Sequence, residues 1–257
     1  MDLGLKEKVA LVTGGASGIG RSVCNVLAEE GANIAVVDIN AEGLAQVAAE
    51  IKSHGVNAFE VVTDCSDVSQ IDDAVKRVIA QYGRIDVLVN NVGGSTGTKG
   101  VSIKDIEQVG ETEYNHVLDL NLKSAFFFSR AVIPHMKSQR YGKIVSVSST
   151  AARIGLETSN VQYSAAKAGV VGFTKNMARL YGEYGINVNC IAPGSVLTSA
   201  RTTAIRHDQD QDAFIKSVPL RRRSEAIEQA RVIVFLCSDA ASYVTGTMAV
   251  IDGGWFA

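Results

Sequence analysis

The stretch that leaves this chain least freedom lies between residues 8 and 38. A short apolar run, 8–13, opens straight into Gly14-Gly15-Ala16-Ser17-Gly18-Ile19-Gly20. Ile19, Val23, Val26 and Leu27 then mark one face of a helix that Gly31 stops. Glycines at such a turn let it tighten, let backbone amides close on an anionic group, and open the helix N-terminus toward that anion. The spacing is GxxxGxG, and a glycine-rich turn by itself says little; set between a strand and an amphipathic helix, it points to a dinucleotide pyrophosphate. A second strand, 33–38, ends in Asp38, 18 residues after Gly20. A carboxylate there accepts hydrogen bonds from adenosine ribose hydroxyls and repels a 2′-phosphate. Position 17 is Ser and Asp38 is followed by Ile39 and Asn40, so no cation stands ready for that phosphate and NAD(H) is the expected cofactor. The competing role for Asp38 is to cap a helix that starts at Ala41.

The alternation continues to the end of the chain. Runs at 58–64, 86–91, 143–149, 187–192 and 248–252 bring the strand candidates to seven, most of them almost wholly apolar, as strands covered by helices on both faces are. Helical periodicity occupies 41–54, 69–82, 112–139, 161–184 and 225–238. The succession predicts an α/β fold, a doubly wound parallel sheet of seven strands with helices on both faces and right-handed crossovers. Ligands bind such a sheet beyond the carboxyl ends of its strands, where the strand order reverses. No linker, repeat or low-complexity stretch divides residues 1–257, which are expected to form one domain. Only 95–110 and 195–223 read as long irregular connections, the places where binding function concentrates.

Composition excludes several classes of function. With 25 Lys+Arg against 27 Asp+Glu the formal charge is -2, which offers no basic surface to nucleic acid. Hydrophobic residues at 46% and charged residues at 20% fit a folded chain rather than a disordered one. Cys24, Cys65, Cys190 and Cys237 lack CxxC spacing and a nearby His, so they read as reduced core thiols with no metal site expected. His54, His116, His135 and His207 stand apart and read as structural. No apolar stretch approaches the ~18 residues of a membrane span, and the opening residues do not read as a signal peptide. A cytoplasmic location is expected.

Tyr163 and Lys167 lie four apart on a helical segment, so both side chains leave from one face. A phenol is a poor base at neutral pH, and a neighbouring ammonium group favours its phenolate. Tyr-x-x-x-Lys is common by accident and gains meaning only with the other motifs, which together resemble the short-chain dehydrogenase/reductase family along essentially the whole chain. TGGASGIG resembles its TGxxxGxG cofactor turn, Asn90-Asn91-Val92-Gly93 its NNAG with Val for Ala, and Tyr163 to Lys167 its YxxxK. Pro193-Gly194-Ser195-Val196-Leu197-Thr198 is similar to its PGxxxT segment, and Val244-Thr245-Gly246 through Asp252-Gly253-Gly254 to its C-terminal signature.

The resemblance implies a single-domain Rossmann fold and hydride transfer between a nicotinamide and a secondary alcohol or ketone. It implies that Tyr163 is the general acid/base, that Lys167 holds the nicotinamide ribose and depresses the phenol, and that Asn121 seats a relay water. The cofactor contacts it implies are Gly14, Ser17, Gly18, Ile19, Gly20, Asp38, Ile39, Asp64, Cys65, Asn91, Gly93, Tyr163, Lys167, Pro193, Gly194, Val196 and Thr198. The family's catalytic Ser usually precedes its Tyr by thirteen residues, which here is Thr150. The strand KIVSVSS fixes the register better than the loop after it, so Ser149 is the expected catalytic hydroxyl, with Ser148 and Thr150 as lesser candidates. Family members pair the helices that carry Asn121 and Tyr163 between subunits, so a homotetramer or homodimer is expected. Arg221, Arg222 and Arg223, with Arg153 and Arg201, would suit an anionic substrate, in which case neutralising Arg222 and Arg223 raises KM. Two other readings stand beside the NAD-dependent alcohol dehydrogenase: an NADPH-dependent 3-oxoacyl-thioester reductase, which Asp38 and Ser17 disfavour, and a non-catalytic dinucleotide-sensing scaffold on the same fold.

Overall fold

The computed structural model describes residues 2–94, 106–155, 159–198 and 210–256, with only the backbone for 210–212. Strand β1 (Val9–Thr13) leads through the glycine turn into helix α1 (Gly18–Glu29), followed by β2 (Asn33–Asp38), α2 (Ala41–Ser53), β3 (Ala58–Val62), α3 (Val68–Tyr82) and β4 (Val87–Asn90). Next come α4 (Glu111–Leu118), a π-helical turn (Asp119–Lys123), α5 (Ser124–Gln139), β5 (Gly142–Val147), α6 (Val161–Tyr181) and β6 (Ile186–Pro193). The chain ends with β7 (Val196–Leu197), α7 (Asp210–Ser217), β8 (Ser224–Glu225), α8 (Ala226–Leu236) and β9 (Met248–Ile251).

Seven strands form one parallel sheet in the order β3-β2-β1-β4-β5-β6-β9, a Rossmann-like α/β fold. Val12 pairs with Val36 on one side and Val89 on the other, so the order reverses between β1 and β4. That reversal opens a crevice at the carboxyl ends of those two strands. Both faces are covered. Val23 and Leu27 of α1, Leu44 and Ile51 of α2, and Ile233 of α8 pack on one; Ile71 and Val78 of α3 and Phe128, Val132 and Met136 of α5 pack on the other. Each such side chain, taken wholly out of water, contributes roughly 1.5–3 kcal/mol.

The structure departs from the sequence expectations in two places and decides between two roles in a third. The expected 112–139 helix is broken by the π turn at 119–123, with Asn121 in its middle. The irregular stretch 195–223 contains α7 and is closed at its base by a two-stranded sheet, Val196 opposite Ser224 and Leu197 opposite Glu225. Helix α2 is capped by Asn40, whose Oδ1 accepts the Gly43 amide at 3.1 Å, so Asp38 is not its cap.

Candidate active site

The glycine turn takes a shape that side chains would block. Gly14 and Gly18 have φ of +63° and +54°, a region that costs L-residues strain. A Cβ on Gly20 would run into the Gly14 carbonyl oxygen, and at 2.6 Å the Asn91 amide. Asn91 is what holds that turn: its Nδ2 donates to the carbonyls of Thr13 at 3.1 Å and Gly14 at 3.0 Å. Helix α1 has no side-chain cap and no acid in its first turn, whereas α2 is capped by Asn40 and α3 by Asp67. Its first amides and positive dipole end are thus left for an anion, which fits a pyrophosphate.

Around this turn a cleft of about 830 Å³ opens at the strand ends. Of the expected cofactor contacts it is lined by Gly14, Ser17, Gly18, Ile19, Asp38, Ile39, Asp64, Cys65, Asn91, Gly93, Tyr163, Lys167, Pro193, Gly194, Val196 and Thr198. Gly20 is the exception, buried beneath the turn, where it leaves room for the Gly14 carbonyl and the Asn91 amide. Asp38 is pinned by backbone amides, its Oδ2 accepting from Ala16 at 3.1 Å and its Oδ1 from Asn40 at 3.0 Å. Ile39 is 68% exposed beside it, an apolar plate at the cleft mouth. Burial pushes the Cys65 thiol up to about 12, which makes it inert at neutral pH.

At the other end Ser149, Tyr163 and Lys167 share one wall. Ser148 and Thr150 are each 2% exposed, and the Ser148 hydroxyl donates to the Lys167 carbonyl at 2.8 Å. Ser149 is hydrogen-bonded to the Tyr163 phenol and also accepts the Ala151 amide at 3.1 Å. Ser149, not Thr150 at the usual thirteen-residue spacing, is therefore the hydroxyl that meets the tyrosine. Lys167 is buried, donates from Nζ to the Val147 carbonyl at 2.7 Å, and lies 5.7 Å from the centre of the Tyr163 ring.

Two expectations change here. Tyr163 is held above the ordinary phenol value, because burial outweighs the opposing bond from Ser149. Lys167 is itself desolvated and lowered to about 8, so the ammonium that was to depress the phenol is only partly formed in mildly alkaline solution. The Asn121 side chain, 2% exposed and not on the cleft wall, is held by three bonds: Oδ1 accepts the Gly94 amide at 3.0 Å, and Nδ2 donates to the carbonyls of Gly94 at 3.0 Å and Val117 at 2.8 Å. It ties the loop after β4 to the π turn, both of its amide hydrogens being used in doing so.

The structure also adds and removes candidates. Thr63, Ser66, Gly94, His116 and Leu120 line the cleft although no motif marked them. His116 and Leu120 stand one helical turn apart, and that spacing was the signal available. Among the described arginines none lines the cleft. Arg222 forms a two-pronged ion pair with Glu228 at 2.6 Å, Arg223 lies over the Phe214 ring, and Arg153 is exposed; Arg201 falls outside the described residues.

Comparison with known proteins agrees with this geometry. A family profile described as enoyl-(acyl carrier protein) reductase matches residues 14–256. The chain is 38% identical over 251 residues to a 3-oxoacyl-[acyl-carrier-protein] reductase of Staphylococcus epidermidis, covering 97% of this chain and 99% of that protein. It is 34% identical over 256 residues to the oxidoreductase UcpA of Escherichia coli O157:H7, covering 97% and 95%. Among solved structures it superposes on levodione reductase with a TM-score of 0.89, at 35% identity over 97% of each chain.

Proposed function

We propose that this chain, which belongs to the short-chain dehydrogenase/reductase family, is an NAD(H)-dependent enzyme that interconverts a secondary alcohol and a ketone, with Tyr163 as general acid/base. The observation that carries the reading is the meeting of Ser149, Tyr163 and Lys167 on one wall of the cleft whose other end is the glycine turn. A bound dinucleotide supplies the hydride acceptor or donor, and the residues supply proton handling and position. In oxidation the Tyr163 oxygen takes the hydroxyl proton while Ser149 hydrogen-bonds the same substrate oxygen and steadies its developing charge. Lys167, held against the Val147 carbonyl, favours the phenolate when it carries its proton. Gly94, fastened by Asn121, holds the loop after β4 against the cleft.

The choice of NAD(H) rests on Asp38. Its carboxylate sits at the end of β2 beside Ser17 and Ile39, and among the described residues lining the cleft Lys167 is the lone Lys or Arg. A 2′-phosphate would meet Asp38 and find no cation. The same count favours a neutral substrate. The second reading, reduction of a 3-oxoacyl thioester with NADPH, draws support from the 3-oxoacyl reductase at 38% identity. A homotetramer or homodimer is part of the proposal: an apolar groove between α5 and α6, with Phe126 and Phe173 on its walls and Leu180 56% exposed, is the face for a second copy.

One experiment tests the core of this reading. Tyr163→Phe is expected to cut turnover by at least about 10² while leaving NADH affinity unchanged, assayed with secondary alcohols, ketones and oxoacyl thioesters against NAD(H) and NADP(H). Retained turnover rejects the mechanism, and preferred use of NADPH with an oxoacyl thioester selects the second reading.

A further inference from the structure

The chain leaves the cleft wall at Thr198 and returns beside it at Ser224, whose amide donates to the Ser195 carbonyl at 3.1 Å. The described part of the return limb is α7 and the turn Val218-Pro219-Leu220, and its partner is the C-terminus. The Leu220 amide donates to the Gly253 carbonyl at 3.2 Å. Gly253 and Gly254 have φ of +69° and +81°, and a Cβ on Gly253 would lie 2.9 Å from Val218. Asp252 shapes this turn, its Oδ1 accepting the Gly254 amide at 2.9 Å and its Oδ2 the Phe256 amide at 3.1 Å. The turn delivers Trp255 edge-on to Phe214 of α7, with ring centres 4.7 Å apart and planes at 83°, while Phe256 stacks on Trp255 at 4.2 Å. Arg223 closes the cluster over the Phe214 ring at 5.0 Å. The other side of Asp252 touches the cleft wall: a Cβ on Gly194 would lie 2.8 Å from its Cα, and the Gly194 amide donates to the Ile251 carbonyl at 3.0 Å.

We propose that Trp255 is a positioning residue: with Phe256 it clamps Phe214, and through Asp252 it fixes α7 relative to the Pro193-Gly194 wall of the cleft, thereby setting substrate affinity. The inference rests on the reading of this cleft as the site of alcohol–ketone interconversion. An edge-to-face pair of this kind is worth 0.5–1.5 kcal/mol beyond its buried area, roughly a two- to tenfold effect.

The test uses the full chain with its dinucleotide. Trp255 is the single tryptophan, so its emission follows the clamp without reference to catalysis. Phe214→Leu is expected to red-shift that emission, to speed amide exchange over 210–217, and to raise KM for the alcohol by roughly two- to tenfold, with the Kd for NADH unchanged. Trp255→Ala does the same to exchange and KM, Trp255→Phe restores both toward the parent, and the Phe214→Leu/Trp255→Ala double variant is no worse than Trp255→Ala alone, because that change already removes the contact with Phe214. Unchanged emission and exchange in Phe214→Leu overturns the clamp. Faster exchange with unchanged KM overturns its hold on substrate, and an equal loss of NADH affinity overturns the assignment to the substrate end. If the reaction itself is misread, no alcohol or ketone turns over in the parent chain, and emission and exchange still decide whether the clamp exists.

Discussion

Replacing Lys167 by methionine is expected to have opposite consequences for stability at the two ends of the range pH 7 to 10. Burial lowers the ammonium from its ordinary 10.5 to about 8. Between those values the unfolded chain still holds a proton that the folded chain has released, so the parent's stability rises with pH there by about 1.4 kcal/mol per pH unit. Below pH 8 the fold carries the whole cost of the desolvated charge, roughly 3 kcal/mol. Methionine is unbranched, fills similar space and carries no such cost, but it leaves the Val147 carbonyl, which accepts Lys167 Nζ at 2.7 Å, without that donor. A buried acceptor left unpaired costs about 1–3 kcal/mol. The variant is therefore expected to equal or exceed the parent by up to about 2 kcal/mol at pH 7. By pH 10 it falls behind, with a relative change of roughly 2–3 kcal/mol across the range. Urea unfolding followed by far-ultraviolet circular dichroism, at one protein concentration and several pH values, measures the difference. Stability curves that run parallel from pH 7 to 10 would refute the reasoning, since Lys167 would then titrate alike in folded and unfolded chains. Turnover is lost in the same variant at every pH.

The remaining expectations concern the cleft and its surroundings. Gly93→Ala drives a methyl group into the Asn121 Oδ1 and to within 2.9 Å of Lys167 Nζ; kcat falls by on the order of 10² and NADH affinity, Gly93 and Lys167 both being expected cofactor contacts, weakens with it, which stopped-flow titration with NADH measures. Asp38→Ala removes the acceptor at the end of β2 and raises KM for NAD by roughly tenfold or more, with a smaller change for NADP. An unaltered NAD/NADP ratio would place cofactor choice elsewhere. Phe126→Glu sets a charge on the 48%-exposed ring of the α5–α6 groove, and sedimentation is expected to show a smaller assembly than the parent's.

What could be read from the sequence was what is local. The glycine turn, the seven strands and the Tyr163–Lys167 spacing each depend on a handful of consecutive residues, and each stands where periodicity put it. The π turn at 119–123 was not legible, because one extra residue in a helical ladder leaves the apolar pattern on either side almost intact. Nor was the fate of the arginines, since a run of three reads as free charge until Glu228 is folded back against Arg222 and Phe214 beneath Arg223.

Spacing identifies which groups meet, but the protonation of those groups follows from burial, which only the fold decides. Tyr163 and Lys167 show how far this reaches. An ammonium beside a phenol in water lowers the phenol, and the four-residue spacing implies that direction. In the folded chain both groups are desolvated, and desolvation disfavours phenolate and ammonium alike, raising one and lowering the other to about 8. The two values thus separate away from the order that general-base chemistry needs, with the lysine losing its proton before the tyrosine. An ammonium held in its charged form beside the phenol favours the phenolate, so a partner that keeps Lys167 protonated works against the rise of Tyr163. The Val147 carbonyl already supplies one such contact, at 2.7 Å. Further hydroxyl oxygens reaching Lys167 from within the cleft would act in the same direction, making the base strongest when the cleft is filled.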